Sequence, residues 1–122
     1  WPDRPVLALL GEGAAMYGIQ GLWTAARYRI PVTFVICNKA QYQILKVGAR
    51  GLPQANAGKY LGMDLADPEI DFVALSRSLG VQAERITEPD ELTEKVRESL
   101  AGNEPRLFDV PIDRTTPAAM EY

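Results

Sequence analysis

Apolar positions along the chain fall into two rhythms. Val6–Leu10 is a continuous apolar run, and Val32–Cys37 is another, rich in β-branched residues; short runs of this kind read as strands. The second run has the character of a strand buried on both faces, as in a parallel sheet. Between them Ile19, Leu22, Trp23 and Ala26 recur at the spacing of one helix face, which predicts a helix over Tyr17–Tyr28 that Pro31 stops. Trp23 and Tyr28 are expected to pack at the core and its rim.

Further along, Asp71 can cap a helix from Phe72 to Leu79, and Gly80 occupies the favoured C′ position. Val81–Ile86 predicts a short strand. Leu92, Val96 and Leu100 recur every four residues, so Glu88–Leu100 predicts a helix, with Asp90, Glu91 and Glu94 suiting the positive end of its dipole and Gly102 stopping it. Arg106–Ile112 supplies a last strand. Gly48–Pro68, with four glycines, two prolines and little periodicity, predicts a long loop, expected over Gly48–Asp67 to be less ordered than the sheet. Asp113–Tyr122 reads as a frayed terminus. Alternating strands and helices predict one α/β domain over residues 1–122, a doubly wound, mainly parallel sheet with helices on both faces. Right-handed crossovers are its default, and ligands are expected beyond the carboxyl ends of the strands.

Composition narrows the function. The chain is 47% hydrophobic and 24% charged, ordinary for a globular domain, and its net charge of −3 comes without a basic stripe, which argues against nucleic-acid and membrane-surface partners. Its apolar runs are too short to span a bilayer, and no signal peptide opens the sequence. The single cysteine, Cys37, reads as a strand thiol; a disulfide framework is excluded, which favours a cytoplasmic setting. Histidine is absent, so the commonest general base and transition-metal ligand are unavailable from these residues.

The candidate chemistry lies at the first strand end. Gly11, Glu12 and Gly13 form a Gly-acid-Gly turn between strand and helix, presenting a carboxylate beside the N–H groups of Ala14 and Ala15, which are expected to face open space. That combination suits a metal-bridged diphosphate. Asn38 and Lys39 follow Glu12 by 26 and 27 positions, at the end of the next strand, and neighbouring strand ends of a βαβ unit can converge on one ion. A dinucleotide site is disfavoured because Met16 stands where the third glycine of G-x-G-x-x-G would be. Lys46 and Arg50 are expected to be solvated.

With GEGAAMYGIQGLWTAARYRIPVTFVICNKAQYQILK, DPEIDFVALSRSLGVQA and RLFDVPID, the chain resembles the pyrophosphate-binding domain of the thiamine-diphosphate-dependent decarboxylase and acetolactate synthase family, in particular benzoylformate decarboxylase-like enzymes. The resemblance implies thiamine diphosphate and magnesium as cofactors. The family's Gly-Asp-Gly to Asn-Asn pattern maps its metal-binding Asp, second Asn and carbonyl onto Glu12, Lys39 and the Gln41 carbonyl, with Asn38 as a possible substitute for Lys39. Gly11, Gly13, Ala14, Ala15, Tyr42 and Ile44 complete the implied cofactor-binding set.

Two departures bear on the metal. Glu12 is one methylene longer than the family's Asp, where magnesium demands tight distances. Lys39 offers donors and no acceptor, so its ammonium cannot ligate a cation and repels it; as a point charge it could instead pair with diphosphate. The resemblance further implies that no catalytic residue lies in these residues. The glutamate that activates the cofactor belongs to a pyrimidine-binding domain, usually of a partner subunit in a homodimer or homotetramer, and the substrate is a 2-oxoacid that is decarboxylated or carboligated. It also implies that this is a fragment of a larger enzyme, with more of the same domain before Trp1. A degenerate domain kept for subunit packing or ligand sensing, with Glu12 paired to Lys39, is the alternative.

Overall fold

The computed structural model describes residues 4–49 and 60–115. These fall into two compact units, one built from the chain up to Asn38 together with Asp71–Pro111, the other from Lys39–Ile70 and the chain from Ile112 onward.

The first unit is an α/β sandwich. Its strands are β1 (Val6–Gly11), β2 (Val32–Asn38), β3 (Gln82–Arg85) and β4 (Arg106–Pro111), paired in the order β1-β2-β4-β3 with every pairing parallel. Its helices are α1 (Glu12–Ala15), α2 (Gly21–Tyr28), α4 (Phe72–Ser78) and α5 (Pro89–Ala101); α3 (Gln43–Ala49) belongs to the second unit. The doubly wound parallel sheet expected from the alternation of elements is therefore present.

Register sorts the side chains onto two faces. Val35 pairs with Phe108, and together with Ile86 they form a buried cluster against Leu92 and Val96 of α5. On the same face the Thr33 and Ser99 hydroxyls meet at 2.7 Å. The intervening positions, Ile36 and Leu107, face the opposite way with Leu10, Ala15 and Leu22, beneath α1 and α2. β2 is central and buried nearly throughout. β1, as apolar in sequence, is an edge strand among the described residues, and its Leu9 is 66% exposed.

The expected Tyr17–Tyr28 helix is corrected. A short helix starts at once at Glu12, residues 16–20 form turns, and α2 begins only at Gly21. Gly18 and Gly21 fall where a continuous helix would have run, and glycine is among the weakest helix formers. The shift also overturns the packing expected of two aromatics: Leu22 and Ala25 face inward, whereas Trp23 and Tyr28 are 55% and 70% exposed. α2 closes on Arg29 in the left-handed conformation (φ 50°), with the Ile30 N–H donating to the Ala25 carbonyl, two residues before Pro31.

Other boundaries agree to within a residue or two. Asp71 caps α4, its carboxylate accepting the Ala74 N–H at 2.9 Å, and Gly80 takes φ 86° past the helix end. The Cβ of an alanine at Gly80 would lie 3.1 Å from the Ala26 Cβ of α2, so glycine serves a close helix approach as well as a turn.

In the second unit, α3 extends over Gly48, and Gln41 and Asp64 form an isolated antiparallel bridge. The middle of the expected Gly48–Pro68 loop lies outside the described residues. The first tail residues are held rather than frayed: the Gln41 amide donates to the Arg114 carbonyl at 2.7 Å, and the Arg114 guanidinium meets Glu69 at 2.8 Å.

Candidate functional site

The first unit contributes the ends of β1 and β2. Gly11 pairs with Cys37, so the parallel register carries the next residues, Glu12 and Asn38, to neighbouring strand ends. α1, which Glu12 opens, packs on both strands. Gly11 is extended (φ −75°, ψ 152°), and an added Cβ there would meet nothing within 4 Å, which leaves open space beside the turn. Ala14 is exposed and Ala15 buried.

Glu12 departs from the open turn that was expected: it is enclosed, 4% exposed. The helix begins at Glu12 without an intervening loop, so the residue belongs to α1, packed on β1 and β2, rather than to an open turn. Asn38 is enclosed too, 3% exposed, and its Nδ2 donates to Asp109 Oδ1 at 3.0 Å. Asp109 lies on β4, opposite Ile36 of β2, with 1% exposure, and Arg85 of β3 approaches its second oxygen at 3.6 Å.

The second unit begins with the residues that follow Asn38. The Lys39 ammonium donates to Gln43 Oε1 of α3, four residues on. Ala40 takes a left-handed backbone (φ 52°) with its carbonyl accepting the Leu65 N–H at 2.8 Å, and the Tyr42 N–H donates to the Met63 carbonyl at 2.8 Å. Lys46, expected to be solvated, is buried at 7% exposure: it pairs with Asp64, donates to Gln41 Oε1 at 2.7 Å and lies 5.7 Å from the centre of the Tyr60 ring. A lysine can be enclosed when its charge is paired, and this one has a carboxylate, an amide oxygen and an aromatic face. Ile44 and Leu45 of α3 are 62% and 52% exposed, so neither is packed in a core.

Asp113 is held below the usual carboxylate range by hydrogen bonds from the Thr115 hydroxyl and N–H and by the charge of Lys39. Sequence reading missed both Asp109 and Lys46. The signal for Asp109 was present, a carboxylate inside the apolar strand Leu107-Phe108-Asp109-Val110. Nothing in the spacing around Lys46 distinguishes it from an exposed helix lysine.

The donor set of the first unit fits a hard divalent ion: a carboxylate and an amide, both oxygen donors, at adjacent strand ends in a low-dielectric setting where attraction to a cation is strong. Lys39 does not fit as a ligand.

Known proteins place this arrangement. Residues 1–110 match the family described as "Thiamine pyrophosphate enzyme, C-terminal TPP binding domain". Benzoylformate decarboxylase of Pseudomonas aeruginosa is 36% identical over 118 residues, covering 95% of this chain and 21% of its own. Acetolactate synthase large subunit of Parasynechococcus marenigrum is 30% identical over 113 residues, covering 93% and 18%. Among solved structures, the thiamine diphosphate-dependent 4-hydroxybenzoylformate decarboxylase of Rhodococcus jostii superposes with a TM-score of 0.81 at 36% identity, over 93% of this chain and 21% of that one. The chain thus spans about a fifth of the length of these relatives. It belongs to the thiamine pyrophosphate enzymes, as their C-terminal cofactor-binding domain.

Proposed function

We propose that this domain serves a 2-oxoacid decarboxylase or carboligase, holding the diphosphate of thiamine diphosphate through magnesium at the ends of β1 and β2. The observation that carries the reading is the pairing of Gly11 with Cys37, which brings the following residues, Glu12 and Asn38, to neighbouring strand ends in a chain of this family. Glu12 and Asn38 would hold the ion, with the Gln41 carbonyl a further oxygen donor. Gly11, Gly13, Ala14 and Ala15 would let the backbone approach the diphosphate. Tyr42 and the exposed Ile44 would line the thiazolium and substrate side. Lys39 would contribute charge to the diphosphate rather than a bond to the metal.

The chemistry that thiamine diphosphate supplies when bound is an electron sink for the pair released as a 2-oxoacid loses carbon dioxide. This chain's residues bind and orient. The activating glutamate would come from a pyrimidine-binding domain, in a homodimer or homotetramer. A cytoplasmic setting accords with the single cysteine; no helix among the described residues is long and apolar enough to cross a membrane.

Calorimetric titration of thiamine diphosphate into the full-length protein, with magnesium or with a chelator, tests the reading. Binding that requires magnesium and is lost in Glu12→Ala is the expected result. No binding under either condition would overturn it and favour a degenerate domain.

A further inference from the structure

We propose that Asp109 is a positioning residue that fixes the orientation of the Asn38 amide, and so decides that a divalent cation meets its oxygen rather than its NH2 group. The inference rests on the cofactor reading above and names how the site is built.

An asparagine amide has a donor on one branch and an acceptor on the other, and a flip exchanges them at little steric cost. Which branch faces the ligand must therefore be set by a neighbour. Asn38 is 3% exposed, and its Nδ2 donates to Asp109 Oδ1 at 3.0 Å. β2 lies between β4, which carries Asp109, and β1, whose end carries Glu12. Committing the NH2 branch to Asp109 on β4 leaves the oxygen branch of the amide as the one that can be offered to a cation at the strand end. An ionised carboxylate can only accept, so the flipped amide would set oxygen against oxygen; the orientation is enforced chemically and not by packing. Arg85, 3.6 Å from the second oxygen, supplies the compensating charge a carboxylate at 1% exposure needs. With Lys39 standing where the family pattern has an amide, Asn38 is the remaining side-chain amide at this strand end.

Asp109→Asn makes the case testable. The asparagine keeps one oxygen, which Arg85 claims as the stronger, charged donor. Its NH2 group then faces Asn38, whose amide must flip and present its own NH2 to the cation. The double variant Asn38→Asp with Asp109→Asn reverses the hydrogen bond and restores an oxygen on the cation side.

The experiment titrates Mn2+ into the full-length protein with thiamine diphosphate present, following free Mn2+ by electron paramagnetic resonance, with thermal melting as the check on folding. Asp109→Asn is expected to weaken Mn2+ binding by about tenfold or more, the range for loss of an outer partner of a metal ligand. The double variant is expected to regain wild-type affinity or exceed it. Unchanged affinity in a folded Asp109→Asn protein overturns the inference and leaves the cofactor reading intact. Should the single variant not fold, a folded double variant that binds at least about tenfold more weakly than wild type also overturns it. Absence of Mn2+ uptake and of thiamine diphosphate binding by the wild type overturns the cofactor reading and this inference together.

Discussion

Asp109 in the sheet unit and Lys46 in the second unit are both enclosed charges, 1% and 7% exposed, yet they are held on different terms. Asp109 faces an amide that is itself buried. Lys46 faces Asp64, whose side chain is 66% exposed and can turn to water if its partner is removed. Each charge also has a second partner, Arg85 at 44% side-chain exposure for Asp109 and the buried Gln41 amide for Lys46, so the difference lies in the counter-charge, which is the more exposed for Lys46. The contrast assigns them different work: Asp109 sets the orientation of a side chain at the candidate site, whereas Lys46 ties together the chain around Gln41 and Asp64.

The contrast would break if the two charges cost the same to delete. Asp109→Ala removes the acceptor of the buried Asn38 Nδ2, while Arg85, 44% exposed, can turn to water, and a loss of about 1–3 kcal/mol is expected from chemical denaturation. Lys46→Met keeps the length and apolar stem of the side chain while Asp64 rehydrates and the buried Gln41 oxygen loses one donor, so about 1 kcal/mol, the low end of that range, is expected by the same measurement. Equal losses would mean that the exposure of Asp64 does not matter.

A smaller change sharpens the account of the second unit. Ala40 lies in the left-handed region at φ 52°, where a side chain costs roughly 1–2 kcal/mol, part of which glycine returns as unfolded-state entropy. Ala40→Gly is expected to stabilise by about 0.5 kcal/mol; a destabilised variant would show that the Ala40 methyl, in a residue 3% exposed, packs more than it strains. The smallest effect is at Asp113. Its acidity is raised by the Thr115 hydrogen bonds, so these are intact above the usual aspartate range and are lost as pH falls through the depressed pKa. Carboxyl NMR should place its midpoint below that of an unstructured aspartate, and Thr115→Ala should move it upward.

Much of the sheet unit was legible because its signals are local. The apolar runs, the Asp71 cap and Gly80 each act within a few residues, and all reappear in the structure. The open turn expected at Gly11–Gly13 was not legible, because nothing local shows that α1 begins at once and encloses Glu12. What escaped depends on which elements meet. Apolarity cannot tell an edge strand from a central one, so β1 and β2 read alike although Leu9 is 66% exposed and Ile36 only 1%. The two-step start of α1 and α2 was hidden by apolar positions that keep a helical spacing across the glycines. Asp109 and Asn38 are 71 residues apart in sequence, and only strand order brings them together.

The central claim is that this strand end holds a cation through Glu12 and Asn38 despite Lys39. Replacing Lys39 by asparagine removes a positive charge and adds an amide oxygen, and both changes favour a divalent ion. Calorimetric titration of thiamine diphosphate with magnesium, on the full-length wild type and its Lys39→Asn variant, tests this most directly. The account predicts affinity higher by about tenfold in the variant, with a further gain when Glu12→Asp is added, since one shifted or added contact to a charge is worth roughly 1–2 kcal/mol. Equal or weaker affinity in both variants would contradict it and make Lys39 a direct diphosphate contact on which binding depends.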